Sequence, residues 1–114
     1  MDILGKAREI EERIIEDHRQ LHKIPEVGFD LQRTSAYVKK RLGEIGVEYE
    51  DCGRSGVIAY IGDRKAKGCI LLRADMDALP IKEETSLEYK AENGAMHACG
   101  HDAIQQCSSE PLLF

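Results

Sequence analysis

Cys69-Ile70-Leu71-Leu72-Arg73-Ala74-Asp75-Met76-Asp77-Ala78-Leu79-Pro80 is the stretch that decides the fold. Its first four residues are continuously apolar, the pattern of a strand covered on both faces in an α/β sheet; a half-exposed strand would alternate. Two carboxylates follow, one residue apart. In open α/β sheets ligands gather beyond the carboxyl ends of the strands, so Asp75 and Asp77 stand where a cation can be bound or oriented. Taken alone, Asp-x-Asp also reads as a turn in which aspartate caps the backbone and Arg73 is its ionic partner.

Upstream of this stretch, Val47 to Tyr49 and Val57 to Ile61 are short runs rich in Val, Ile and Tyr, set off by Gly53, Gly56, Gly62 and Gly68, and they predict two more strands before Cys69 to Ala74. Earlier still, Ile3, Ala7, Ile10, Ile14 and Leu21 recur at helical spacing among charged residues. They predict an amphipathic helix that ends before Pro25 and turns its stripe to a core. A second helix is expected from about Leu31 to Ile45, with Val38, Leu42 and Ile45 on one side and Gly46 to stop it. Helices followed by strands imply an α/β or layered α/β/α domain.

Downstream, Met96-His97-Ala98-Cys99-Gly100-His101-Asp102-Ala103 holds a thiolate and an imidazole two residues apart. That pair suits a borderline-soft ion such as zinc, and Gly100 lets the backbone bend so that both face one point. Asp102 can hold a histidine ring nitrogen from outside the coordination sphere. A lone Cys-x-His also reads as a buried cysteine beside a surface histidine.

Composition bounds the classes of function. Hydrophobic residues make up 42% and charged residues 32% of 114 residues, so one modest packed domain is expected, not a disordered chain or a membrane protein. The 21 acidic and 16 basic residues are interspersed for a net charge of -5, with no basic stripe for phosphates, which argues against a nucleic-acid partner. No apolar run reaches the length of a signal peptide or a membrane span, so a cytoplasmic location away from the membrane is expected. In that compartment Cys52 and Cys69 read as plain thiols.

Arg19-x-Leu21-His22-x-x-Pro25-Glu26, the stretch Leu72 to Ile81 and the stretch Gly94 to Ala103 occur in order. Together they resemble the amino-terminal part of the hippurate hydrolase, N-acyl-amino-acid amidohydrolase and aminoacylase family of metallopeptidases. The resemblance implies the amino-terminal part of a layered α/β/α, zinc-peptidase-like catalytic domain with a mixed sheet. It also implies two divalent ions, zinc or manganese or possibly cobalt, an N-acyl amino acid substrate, and homodimerisation through a domain outside these residues. Carried over by position, Cys99 and His101 are metal ligands, Asp77 orients and tunes the site as a catalytic residue, and Asp75 and Asp102 support it from behind.

The family's general base and a further ligand come from a Glu-Glu pair after the Cys-Gly-His-Asp motif, with more histidines later. After Asp102 the only acidic residue is Glu110, and no histidine follows His101. Residues 1–103 are therefore expected to be an incomplete catalytic domain, and residues 104–114, without helical or strand periodicity, an aberrant tail. The codons ATA CAG CAA TGC TCC TCG GAA CCN encode Ile104 to Pro111. With a C restored in front they read CAT ACA GCA ATG CTC CTC GGA ACC, which encodes the His-Thr-Ala-Met-Leu-Leu-Gly helix usual in the family. The expectation is a truncated or frameshifted amidohydrolase fragment, marginally stable and inactive as an isolated chain. The alternative is a small noncatalytic metal-binding or protein-interaction module.

Overall fold

A computed structural model of the chain describes residues 2–109, with side chains through residue 105. The elements run α1 (Ile3–His22), α2 (Gln32–Glu44), β1 (Glu48–Cys52), β2 (Gly56–Tyr60) and α3 (His101–Ser109). The Asp2 carboxylate opens α1 by accepting from the Gly5 amide at 2.9 Å. The helix stops at His22, ahead of Pro25 as its sequence predicts. Leu21 is fully buried, but Ile3 and Leu4 at the other end are 64% exposed, so only the carboxyl-terminal half of the stripe meets a core.

Helix α2 has no side-chain cap of its own at Leu31. Glu26 supplies one from the preceding loop: its carboxylate accepts from the amides of Arg33 at 3.1 Å and Thr34 at 2.8 Å, and from the Thr34 hydroxyl at 2.7 Å. At the far end Gly46 takes a φ of +73°, the left-handed turn that ends helices and that a side chain disfavours. Asp17 of α1 fastens the two helices, accepting from Tyr37 at 2.5 Å and from Arg41 at 2.9 Å. The Ser35 hydroxyl donates to the Ser55 carbonyl at 2.6 Å, which ties α2 to the β1–β2 turn.

β1 and β2 pair antiparallel, with Glu48 opposite Tyr60 and Cys52 opposite Gly56. They make the one multi-residue sheet among the described residues. The expected third strand is not formed: residues 69–74 are unpaired, with Ile70 89%, Leu71 85% and Leu72 56% exposed. A strand covered on both faces needs neighbouring strands and covering helices, and the described residues contribute none on either side.

Order returns where the motifs meet. The Ala78 amide donates to the Glu26 carbonyl at 2.7 Å, in a parallel bridge between Val27 and Ala78. Leu79 and Met96 exchange two backbone hydrogen bonds of 3.0 Å in an antiparallel bridge. The Asn93 side chain donates to the Pro25 carbonyl at 2.7 Å. Three stretches far apart in sequence thus lie side by side, with Ala78, Ala91 and Ala95 buried between them.

The expectation of no regular structure after Ile104 is also corrected, since α3 continues through Ser109. Asp102 stands in its first turn, where a negative charge suits the helix dipole, and no glycine or proline interrupts until Pro111. α3 packs on α1 and buries Gln105. Pro111 lies outside the described residues.

Candidate metal centre

Gly100 has a φ of +88°, in the left-handed region, with open space where a Cβ would stand. Its backbone conformation, not crowding, therefore calls for glycine between Cys99 and His101. The turn sends His101 toward the first acidic motif. His101 Nδ1 lies 2.9 Å from the Asp77 carbonyl oxygen and 3.1 Å from the Asp77 carboxylate, and both are acceptors, so Nδ1 carries the proton and donates. The Nε2 lone pair is then free for a cation. The Asp75 carboxylate stands 3.9 Å from Nε2 and also accepts from Arg73 at 2.7 Å.

His101 is half-buried, and the Cys99 thiol is exposed and free of any disulfide. The donor types suit a divalent ion: an oriented imidazole with a carboxylate near its open nitrogen, and an accessible thiol two residues away in sequence. Asp75, Asp77 and His101 are brought together. Asp102 turns the other way.

The Asp102 carboxylate, 2% exposed, accepts from His22 Nδ1 at 2.7 Å and lies 3.1 Å from His18 Nε2, both on α1. Its other oxygen meets the Ala103 amide at 3.0 Å. It does hold histidine nitrogens, but those of α1 and not of its neighbours in sequence. The other nitrogen of His22, Nε2, lies 3.0 Å from buried Glu83, which also accepts from the Thr85 hydroxyl at 2.6 Å and the Ala91 amide at 2.7 Å.

Burial works against charge on His22, yet the hydrogen bonds to Glu83 and Asp102 outweigh it and raise its pKa. Burial likewise pushes the Glu83 carboxyl up, but Thr85, the Ala91 amide and His22 more than reverse that and hold it down at about 2. His97, also buried, has both ring nitrogens without a hydrogen-bond partner, and burial lowers its pKa. His18, Glu83 and His97 were not singled out by sequence reasoning. The i, i+4 spacing of His18 and His22 on a predicted helix was the available signal; Glu83 had none, being remote from its partners in sequence.

An α/β arrangement that brings Asp75, Asp77 and His101 together beside three bridged motifs has the donor chemistry of a metal-handling protein. Residues 71–106 match the family described as Peptidase family M20/M25/M40. The chain is 43% identical over 109 residues to thermostable carboxypeptidase 1 of Saccharolobus solfataricus, covering 90% of this chain and 28% of that protein. It is 39% identical over 104 residues to hippurate hydrolase of Campylobacter jejuni, covering 90% of this chain and 27% of that protein. Among solved structures, the Bacillus subtilis YXEP protein, described as a dinuclear metal binding peptidase from the M20 family, superposes with a TM-score of 0.77 at 40% identity. That match covers 83% of this chain and 27% of the other. A protein from methicillin-resistant Staphylococcus aureus gives a TM-score of 0.88 at 35% identity, over 99% of this chain and 32% of its own.

Motifs, fold and matches agree in likening this chain to peptidase family M20/M25/M40, whose model its residues 71–106 match. It spans about a quarter to a third of the length of these relatives. No helix among the described residues is long and apolar enough to cross a membrane.

Proposed function

We propose that these residues are the amino-terminal part of a metal-dependent amidohydrolase that cleaves the amide bond of N-acyl amino acids, and that the 114 residues alone do not catalyse it. The observation that carries the reading is His101, whose Nδ1 is held by Asp77 so that Nε2 is open on the side of Asp75. Cys99 and His101 are the residues that would hold a divalent ion, with Asp77 orienting His101 and Asp75 beside its open nitrogen. When bound, two such ions, zinc or manganese or cobalt, supply Lewis acidity toward the amide carbonyl and toward water.

What this chain's own residues do is narrower. Asp77 fixes the His101 tautomer, Gly100 sets the turn, and the exposed Cys99 thiol is accessible as a soft donor. None of them is placed as the general base that would take a proton from water, and no Glu-Glu pair follows Asp102. The names of hippurate hydrolase and of the N-acetyl-L-cysteine deacetylase of Bacillus subtilis, 42% identical over 95 residues, support an N-acyl amino acid as the parent's substrate. Homodimerisation and a cytoplasmic setting complete the proposal for the parent.

The purified chain, loaded with zinc or manganese, is expected to release no more product from N-benzoylglycine or N-acetyl amino acids than the free metal does. Turnover abolished both by a chelator and by Cys99→Ala would sink that expectation.

A further inference from the structure

His18, His22 and Asp102 each offer one donor atom, and these atoms lie within 4.8 Å of one another. His18 and His22 are one helical turn apart on α1, so both rings leave the same face, and their centroids are 5.9 Å apart. Asp102 meets them from the first turn of α3, with Oδ2 2.7 Å from one imidazole nitrogen and 3.1 Å from the other. Ligand atoms of a tetrahedral zinc ion are about 3.3 Å apart, given bonds of about 2.0 Å, so these two separations need to widen by about 0.6 and about 0.2 Å, while the two histidine nitrogens, within 4.8 Å of each other, draw together.

We propose that His18, His22 and Asp102 form a zinc(II) site of their own, distinct from the Cys99–His101 pair, with Glu83 holding the far nitrogen of His22. The arrangement beyond the ligands is what such a site requires. Glu83 accepts from His22 Nε2 at 3.0 Å and so can fix the tautomer that leaves Nδ1 free to ligate. Glu83 is itself anchored by Thr85 and the Ala91 amide, so it has no freedom to swing away.

Charge favours an ion as well. Two carboxylates, Glu83 with its side chain 0% exposed and Asp102 with 3%, are buried together against imidazoles. Two negative charges buried side by side need compensation, and one divalent cation with two neutral imidazoles cancels both. The His18 side chain is 32% exposed, which leaves an entry path and an open coordination position on that side. His97, with its orphaned ring nitrogens, stands with its ring 6.5 Å from that of His22, and its one acceptor nitrogen could take a hydrogen bond from a water on the ion.

Cobalt(II) titration of the untagged 114-residue chain tests this separately from the function proposed above, because a Cys99 site gives a thiolate-to-metal charge-transfer band and the helix site does not. In the Cys99→Ser chain, one equivalent of cobalt is expected to bind with visible d–d absorption and no thiolate band, and zinc to displace it. Adding His18→Gln, a partly exposed position whose loss leaves the His22–Glu83 contact in place, is expected to weaken binding by roughly tenfold or more, and Glu83→Gln by on the order of tenfold. No stoichiometric binding in the Cys99→Ser chain, or unchanged affinity after His18→Gln, overturns the proposal. Should a variant lose its helical circular dichroism, the wild-type chain decides: zinc-induced shifts of the His18 and His22 ring nitrogens by NMR support the site, and shifts confined to His101 overturn it.

Discussion

His22 joins two buried carboxylates from separate parts of the chain. Its two nitrogens reach across from α1 to Glu83 and to Asp102, one residue beyond His101. His22→Ala leaves two buried carboxylates without their shared partner, at a cost of about 3 kcal/mol or more. That is a large share of the roughly 5–15 kcal/mol that stabilises a whole domain, so the variant is expected to unfold at a much lower thermal midpoint by circular dichroism. The pH dependence has two sides. The Glu83 carboxyl is lowered from 4.5 to about 2, so its contribution is complete above about 4.5 and is lost as the pH falls toward about 2. His22 is raised from 6.5, so its contribution is complete below 6.5 and is lost as the pH rises through that higher value. In metal-free buffer the thermal midpoint is therefore expected to be highest between about 4.5 and 6.5, and a midpoint that climbs steadily above pH 7 would contradict the pairing.

Among the elements, α2 depends on a cap from outside itself. Glu26 satisfies two of its first amides and a hydroxyl, which explains why a glutamate after Pro25 belongs to the motif that begins at Arg19. Glu26→Ala is expected to cost about 1 kcal/mol, read as a lower urea midpoint with unchanged slope. Helix α3 poses a different question, because it runs through Ser109, beyond residue 106 where the match to the family ends. We propose that residues 104–114 are out of frame with their own gene, and that the shifted frame encodes a family helix in the same place. Sequencing the locus is expected to show ATA for Ile104, TGC for Cys107 and TCN for Ser108 and Ser109, with His-Thr-Ala-Met-Leu-Leu-Gly in the shifted frame. Codons incompatible with that reading would show the segment to be genuine and would favour the noncatalytic metal-binding module.

At the scale of the whole molecule, the accessible surface is 8037 Å², whereas a folded monomer of 12.8 kDa is expected to expose about 6,300 Å². The radius of gyration of 15.0 Å exceeds the roughly 13 Å of a compact domain of this length. Part of the excess lies at Ile70, Leu71 and Leu72, an apolar run with unpaired backbone and therefore a template for edge-to-edge association. The wild-type chain is expected to form concentration-dependent oligomers in light scattering, and Ile70→Lys with Leu71→Glu to suppress them while far-UV circular dichroism stays the same. Equal scattering from both chains would place the association elsewhere.

Local signals alone determined the two helices, their stops near Pro25 and Gly46, two short strands overlapping β1 and β2, and the Cys99-Gly100-His101 turn. Each depends on spacing, glycine or proline within a few residues, and such forces are readable without knowing the fold. The apolar run from Cys69 was legible as a strand, yet strand formation needs partners, and pairing is a property of the surroundings that residues 69–74 do not carry. Only the tertiary structure decided that Asp102 faces His18 and His22 instead of His101, and that Glu83, 61 residues from His22, completes that cluster. The bridges Val27–Ala78 and Leu79–Met96 bring those distant residues together, and no local pattern encodes which remote carboxylate a helix face will meet.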